Sequence, residues 1–240
     1  MHAAADSLER LTPDLLAETG ATGRATLALH LERYAFAAKH LQPGRVLDLA
    51  CGVGYGTLLL AEQSGQPVLG VDLSAQAIDY ARIRYGGPGV DFRMADATDF
   101  RDAQGFASIV SLETVEHLPD PDAFLASMAA LLRPGGSFVA SVPTTPSTDV
   151  NLHHVHDFTE RSFRAAVAVH GLHEVDCLRQ VQHVPLGAVL GRTEARMTGV
   201  RPNLPAWYLR HPRALLRRLV ATLRHGFTNH YLTVAWRKPA

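Results

Sequence analysis

The chain has 240 residues, 47% hydrophobic and 19% charged, with 23 basic and 23 acidic side chains. That length and composition suit a globular domain with a sizeable core and exclude a disordered or collagen-like chain. The zero net charge hides an asymmetry. Residues 1–181 carry 13 basic against 22 acidic side chains, whereas residues 182–240 carry 10 basic against the single acid Glu194.

In chain order, residues 1–20 are polar and acidic, without the basic and apolar regions of a signal peptide. No run of eighteen apolar residues follows, so no spanning helix is expected. Cys51 and Cys177 form no CxxC pair or disulfide framework, which suits a reducing compartment. Together these predict a cytoplasmic chain.

From about residue 25 to 142, short apolar runs alternate with longer amphipathic ones, the pattern of βαβ units on a mostly parallel sheet. A helix over 24–41 ends at Pro43-Gly44. Strands follow at 45–50, 67–72, 90–95, 106–112 and 137–142. Helices over 55–63, 74–85 and 121–132 separate them, the second capped by Ser74, with Asp122 as the cap of the third. Residues 143–157 read as a functional loop, 160–170 as a helix, and 172–181 and 230–236 as two further strands. Residues 182–228 hold eight Arg and read as a basic insertion or cap within a single domain spanning 1–240.

The strongest signal runs from Val46 to Thr57, a buried strand entering a glycine-rich turn (Cys51-Gly52-Val53-Gly54-Tyr55-Gly56) and then a helix. Glycines let the backbone approach a ligand, and the helix start offers free N–H groups. Asp48 precedes the loop, and Asp72 ends the next strand, where a carboxylate can accept hydrogen bonds from both hydroxyls of a ribose. Thr57 stands where the dinucleotide fingerprint has its third glycine, which argues against that motif. Cys51 reads as a small residue in a tight loop.

DLACGVGYG followed by GVDLS resembles the signature of class I S-adenosylmethionine-dependent methyltransferases. Asp96-Ala97, Ser111-Leu112-Glu113 and Leu132-Arg133-Pro134-Gly135-Gly136 agree in order and spacing, over roughly residues 24–181. The resemblance implies an α/β, Rossmann-like, seven-stranded mixed sheet in the order 3-2-1-4-5-7-6. Strand 7 is antiparallel, helices cover both faces, and a basic helical insertion precedes the last strand. It also implies a cofactor site of Asp48, Ala50, Gly52, Gly54, Asp72, Leu73, Asp96, Ala97 and Leu112. In it Gly52 and Gly54 contact the methionine part and Asp48 faces its ammonium. Asp72 holds the ribose, Asp96, Ala97 and Leu73 hold the adenine, and Leu112 lies near the sulfonium. On the helix before the first strand, Arg33 or Tyr34 would touch the methionine carboxylate, with a salt bridge and a core aromatic as the plainer reading.

An aliphatic hydroxyl acceptor needs a base, or a metal that lowers the pKa of a bound oxygen. Two segments supply candidates: Glu113-Thr114-Val115-Glu116-His117-Leu118 after the fourth strand and Asn151-Leu152-His153-His154-Val155-His156-Asp157-Phe158 after the fifth. His117 and His156 are candidate catalytic residues. Carboxylates with imidazoles suit a hard or borderline divalent ion such as Mg2+ or Mn2+. The same segments locally resemble the metal-dependent ribose 2′-O-methyltransferases of RNA 3′ ends, which makes Glu113, Glu116, His117 and His156 the metal set. A larger set of bacterial small-molecule and sugar O-methyltransferases resembles more of the chain. The plainer alternatives are a Glu113 that only supports the cofactor and a His154 or His156 that only packs.

The reading is a methyltransferase acting on a hydroxyl of a small molecule, such as a sugar or glycosylated metabolite. A metal-dependent ribose 2′-O-methyltransferase, C- or N-methylation and an inactive cofactor-binding protein stay open. Within the basic segment, residues 213–225 are amphipathic, with Leu215, Leu216, Leu219, Val220 and Leu223 on one face. Three readings compete: a helix packed on the core, a lid whose Arg reaches a phosphate or carboxylate of the acceptor, and a helix lying weakly on an anionic membrane. A nucleic-acid partner is disfavoured, because no lysine-rich patch or RNA-binding module is present and the larger part of the chain is acidic.

Overall fold

The structure is a computed structural model that describes residues 20–183, 201 and 203–240. The expectations for residues 1–19, and for the part of the basic insertion carrying Arg192, Glu194 and Arg196, lie outside the described residues.

Helix α1 (Gly20–Lys39) leads into β1 (Val46–Leu49), α2 (Tyr55–Ser64), β2 (Val68–Asp72), α3 (Ala75–Tyr85) and β3 (Val90–Met94). Then come β4 (Phe106–Leu112), a 3-10 turn at Val115–His117, α4 (Pro121–Leu131), β5 (Leu132–Pro143), α5 (Glu160–Ala168) and β6 (His173–His183). Two further helices, α6 (Leu204–Arg210) and α7 (Pro212–His225), precede β7 (Thr228–Arg237). The seven strands form one sheet in the order β3-β2-β1-β4-β5-β7-β6. The β1–β2, β1–β4, β2–β3 and β4–β5 pairs are parallel, and β7 runs antiparallel to both its neighbours. The expected strand order and the antiparallel last strand are both present.

Central strands β1, β2 and β4 are buried at every residue, which is why they read as continuous apolar runs. Strand pleating sends Leu47 and Leu49 into one core with Ile109, Phe138 and Trp236. It sends Val46 into the other with Val110, Val139, Tyr34 and Leu60. The edge strand β3 buries only Val90 and Phe92. No described helix is long and apolar enough to cross a membrane.

Some local expectations shift. The cap of α4 is Asp120, whose side chain accepts from the Ala123 N–H with Pro121 opening the helix, so Asp122 is not the cap. Strand β5 starts at Leu132, five residues early, because Leu132 pairs with Phe106 before a register shift brings Ser137 opposite Ser108. Helix α6, seven residues long, is too short to show a helical period in the sequence. Helix α7 forms where expected but buries Ala214 and Ala221, leaving its leucine face outward.

The strand order reverses between β1 and β4, and in open α/β sheets ligands bind outside the carboxyl ends of the strands at such a point. The loops after β1, β2, β3, β4 and β5 all emerge there.

Candidate active site

The loop after β1 is held from below and behind. Asp48 is 1% exposed and accepts a 2.7 Å hydrogen bond from Thr57 Oγ1, with the Tyr34 hydroxyl 3.4 Å from both of its oxygens. Thr57, read from sequence only as a departure from a fingerprint, thus ties α2 to β1. Gly56 makes room for this, because a Cβ there would fall 1.9 Å from the Tyr34 ring. Ala50 (φ 62), Gly52 (φ 56) and Gly54 (φ 88) all adopt left-handed backbone. The two glycines differ in kind. A Cβ on Gly52 would meet nothing within 4 Å, whereas one on Gly54 would lie 2.7 Å from the Ala81 Cβ and the Phe92 ring. Gly54 therefore serves close packing against α3 and β3, and Gly52 presents bare backbone to open space.

Asp72, 8% exposed at the end of β2, closes the loop: Oδ2 accepts from the Gly52 N–H at 2.9 Å and Oδ1 from the Ser74 N–H at 2.9 Å. Beside it Leu73 is 66% exposed, an apolar side chain left in the open. Asp96, after β3, is exposed, and its Oδ1 accepts from the Thr98 N–H and hydroxyl at 2.8 and 2.7 Å. The Thr98 N–H holds the Asp96 carboxyl below the usual carboxylate range. Ala97 packs half-buried on the main core, and Leu112 is 8% exposed at the end of β4.

Burial pushes the Asp48 carboxyl up to about 7, against the lowering pull of its bonds from Thr57 and Tyr34 and with a smaller push from Asp72. The folded state therefore holds a proton that the unfolded chain releases near its ordinary value of 3.8. The sign is that stability falls as pH rises from about 4 through about 7 and levels off above it. Thermal melting of Asp48→Asn should lack this slope when compared with the parent over pH 4.5–8. Equal slopes would show that Asp48 ionises normally.

Beyond β4 the chain turns sharply. Glu113 takes a left-handed φ of 51°, uncommon for a side chain of its size. It is held there by Ser141, whose hydroxyl donates to Oε1 at 2.7 Å, and by Arg33, whose guanidinium lies 3.4 Å from the same oxygen. Arg33 is 1% exposed, donates to Gln180 Oε1 at 2.7 Å and stacks 4.2 Å over the Tyr231 ring. Arg33 and Tyr34 thus both have partners inside the protein. Gln180, Ser141 and Tyr231 had no signal in the sequence, because each meets the site from a distant strand.

The Val115–His117 turn receives the loop that follows β5. Glu116 is fully buried, and its carbonyl accepts from the N–H groups of Val155 and His156 at 2.9 and 3.2 Å. His117 Nδ1 lies 3.1 Å from the His153 carbonyl, which can only accept, so Nδ1 carries a proton and in the neutral ring the lone pair falls on Nε2. That Nε2 lies 3.9 Å from Glu116 Oε1. The His154 ring stands edge-on to His117 at 4.6 Å and bonds Ser147 Oγ through Nδ1 at 2.6 Å. Burial, with the neighbouring His117, pulls His154 down to about 4, so it is neutral at pH 7. Ligand atoms of Glu116, His117 and His154 lie within 4.8 Å of one another. Among the described residues this group differs from the expected metal set: His154 is in it, Glu113 and His156 are not. Glu113 is turned to Arg33 and Ser141, and His156 sits against Phe158 with its Nε2 buried and without a hydrogen-bond partner.

Comparison with known proteins places these features. Residues 47–140 match the family described as "Methyltransferase domain". The chain is 37% identical over 129 residues to a ubiquinone biosynthesis O-methyltransferase of Chelativorans sp. (strain BNC1), covering 51% of this chain and 49% of the relative. The chain thus spans about half the length of the curated relatives it matches. Among solved structures it resembles the N-methyltransferase NodS of Bradyrhizobium japonicum WM9, in complex with S-adenosyl-L-homocysteine (TM-score 0.61, 18% identity, covering 98% of this chain and 95% of that one). It also resembles the [4+2]-cyclase SpnF (TM-score 0.62, 17% identity, covering 92% and 85%). At these identities the likeness is one of fold, and the fold alone carries more than one chemistry.

Proposed function

We propose, from the match of residues 47–140 to the methyltransferase domain family, that the chain is a class I, S-adenosylmethionine-dependent methyltransferase and that it transfers the methyl group to a hydroxyl of a small molecule. The residues present fit the cofactor on one observation: the bare Gly52 backbone faces open space beside the Asp72 carboxylate and the exposed Leu73. Asp72 and Gly52 would hold it at the ribose and methionine ends, Leu73 and Asp96 at the adenine. When bound, the cofactor supplies a sulfonium whose methyl group is already activated.

The observation that carries the choice of a hydroxyl is the lone pair on His117 Nε2. A neutral amine can attack a sulfonium unaided, whereas a hydroxyl must give up its proton as it attacks. His117 Nδ1–H is fixed on the His153 carbonyl, so Nε2 is the atom that takes the proton. The Glu116 carboxylate, 3.9 Å away, stabilises the imidazolium that results. His154, kept neutral by burial, adds no competing charge. The name of the Chelativorans relative supports O-methylation in general. The finer reading, a sugar or glycosylated metabolite, rests on the likeness of Glu113–Leu118 and of the loop Asn151–Thr159 to bacterial small-molecule and sugar O-methyltransferases. S-adenosylhomocysteine release assayed against glycosides, phenols and amines tests both. Methylation confined to amines would overturn the hydroxyl reading. With a hydroxyl acceptor, His117→Ala should slow turnover about a hundredfold or more while leaving S-adenosylhomocysteine affinity unchanged.

The grouping of Glu116, His117 and His154 favours a second reading, a divalent ion held by one carboxylate and two imidazoles. The two readings exclude each other at one atom, since a lone pair given to a metal takes no proton. Turnover in the presence of a chelator separates them: the base reading predicts no change, and loss of turnover restored by Mn2+ or Mg2+ establishes the ion.

A further inference from the structure

Helix α7 carries two opposed stripes. Ala214, Arg218 and Ala221, spaced i, i+4, i+7, face the body of the protein. There Arg218 Nε donates to Asp149 Oδ2 at 2.9 Å, and its guanidinium also bonds Asp149 Oδ1 and, at 2.6 Å, the Pro146 carbonyl. Tyr208 donates to the same Asp149 at 2.6 Å, and Arg201 bonds the carbonyls of Asp149 and Thr148. Asp149 is only 4% exposed, so this clasp fixes which way the helix faces. The opposite stripe, Leu216, Leu219, Val220 and Leu223, at i, i+3, i+4, i+7, is 62%, 50%, 37% and 86% exposed. Leu209 and Phe227, on the segments either side of α7, are also 85% and 45% exposed. Exposed Arg210, Arg213 and Arg224 flank the stripe, and residues 201–240 contain no acidic side chain.

We propose that α7 docks this chain on an anionic membrane surface, with the leucine stripe in the acyl boundary and the flanking arginines on the headgroups. An aqueous surface helix would not turn four aliphatic side chains to solvent while turning an arginine, only a quarter exposed, inward onto a buried aspartate. The charge decides between occupants. A second copy packed on the same stripe would bring arginines together with no acid on either helix to oppose them. A surface of acidic headgroups satisfies both halves of the pattern. The inference is independent of which atom is methylated.

Co-sedimentation of the full chain with vesicles tests it. Vesicles of phosphatidylglycerol and phosphatidylcholine should bind the chain, less so as salt is raised, and pure phosphatidylcholine vesicles should bind far less. Leu216→Glu with Leu223→Glu should weaken the anionic binding about tenfold or more, and so should Arg213→Glu with Arg224→Glu. Neither pair touches the cofactor loop, so both should titrate S-adenosylhomocysteine as the parent does; if the leucine pair fails to fold, the arginine pair carries the comparison. No binding to anionic vesicles at low salt, or equal binding by parent and variants, would overturn the proposal. So would a dimer in sedimentation velocity that the leucine pair abolishes, with no vesicle binding, since the stripe would then belong to a second copy.

Discussion

Asp72→Ala should weaken S-adenosylhomocysteine binding by roughly 1–3 kcal/mol, about fivefold to more than a hundredfold in Kd by calorimetry. Two losses combine. The variant removes the carboxylate proposed to accept the ribose hydroxyls, and it frees the Gly52 and Ser74 N–H groups that this carboxylate now holds at 2.9 Å. The second loss loosens the loop itself. Asp72→Asn tells them apart, since an amide can still accept from one of the two N–H groups. It should fold closer to the parent yet bind the cofactor poorly. Parent-like affinity in both variants would remove Asp72 from the cofactor site.

Gly54→Ala should lower stability by about 2–5 kcal/mol. Left-handed backbone costs an L-residue about 1–2 kcal/mol, and overpacking against Ala81 and Phe92 typically adds about 1–3. Its neighbour behaves differently. Gly52→Ala has the strain of a φ of 56° but no clash, so it should cost about 1–2 kcal/mol in stability while its methyl group occupies the open space of the cofactor loop. Melting temperature and cofactor affinity, measured on both variants, should therefore move in opposite proportion. Equal melting temperatures would show that the loop shifts to accept a methyl at position 54.

That contrast marks where the sequence runs out. The run from Val46 to Thr57 announces a buried strand, a turn and a helix, because parallel central strands bury both faces and glycines punctuate the loop. Strand order was not legible in the residues themselves and came only with the resemblance to the methyltransferase family. Which glycine serves the ligand and which serves packing does not follow, because the deciding neighbours, Ala81 and Phe92, lie on other elements. The Arg33–Gln180 bond joins residues 147 apart, beyond any local pattern. His154 rather than His156 joins Glu116 and His117 because the loop after β5 has no period from which to read direction. Helical period did show that Leu216, Leu219, Val220 and Leu223 share a face. It could not show that the face points away from the sheet, since that depends on a clasp to Asp149 sixty-nine residues upstream of Arg218.

The central claim is a cofactor site at the carboxyl ends of β1 to β4, built on Gly52, Asp72 and Leu73. Calorimetric titration of the intact chain with S-adenosylhomocysteine tests it most directly. Saturable binding of one ligand per chain is expected, weakened by Asp72→Ala and left unchanged by His117→Ala. Absence of binding by the folded parent chain, or binding that Asp72→Ala leaves intact, would contradict it.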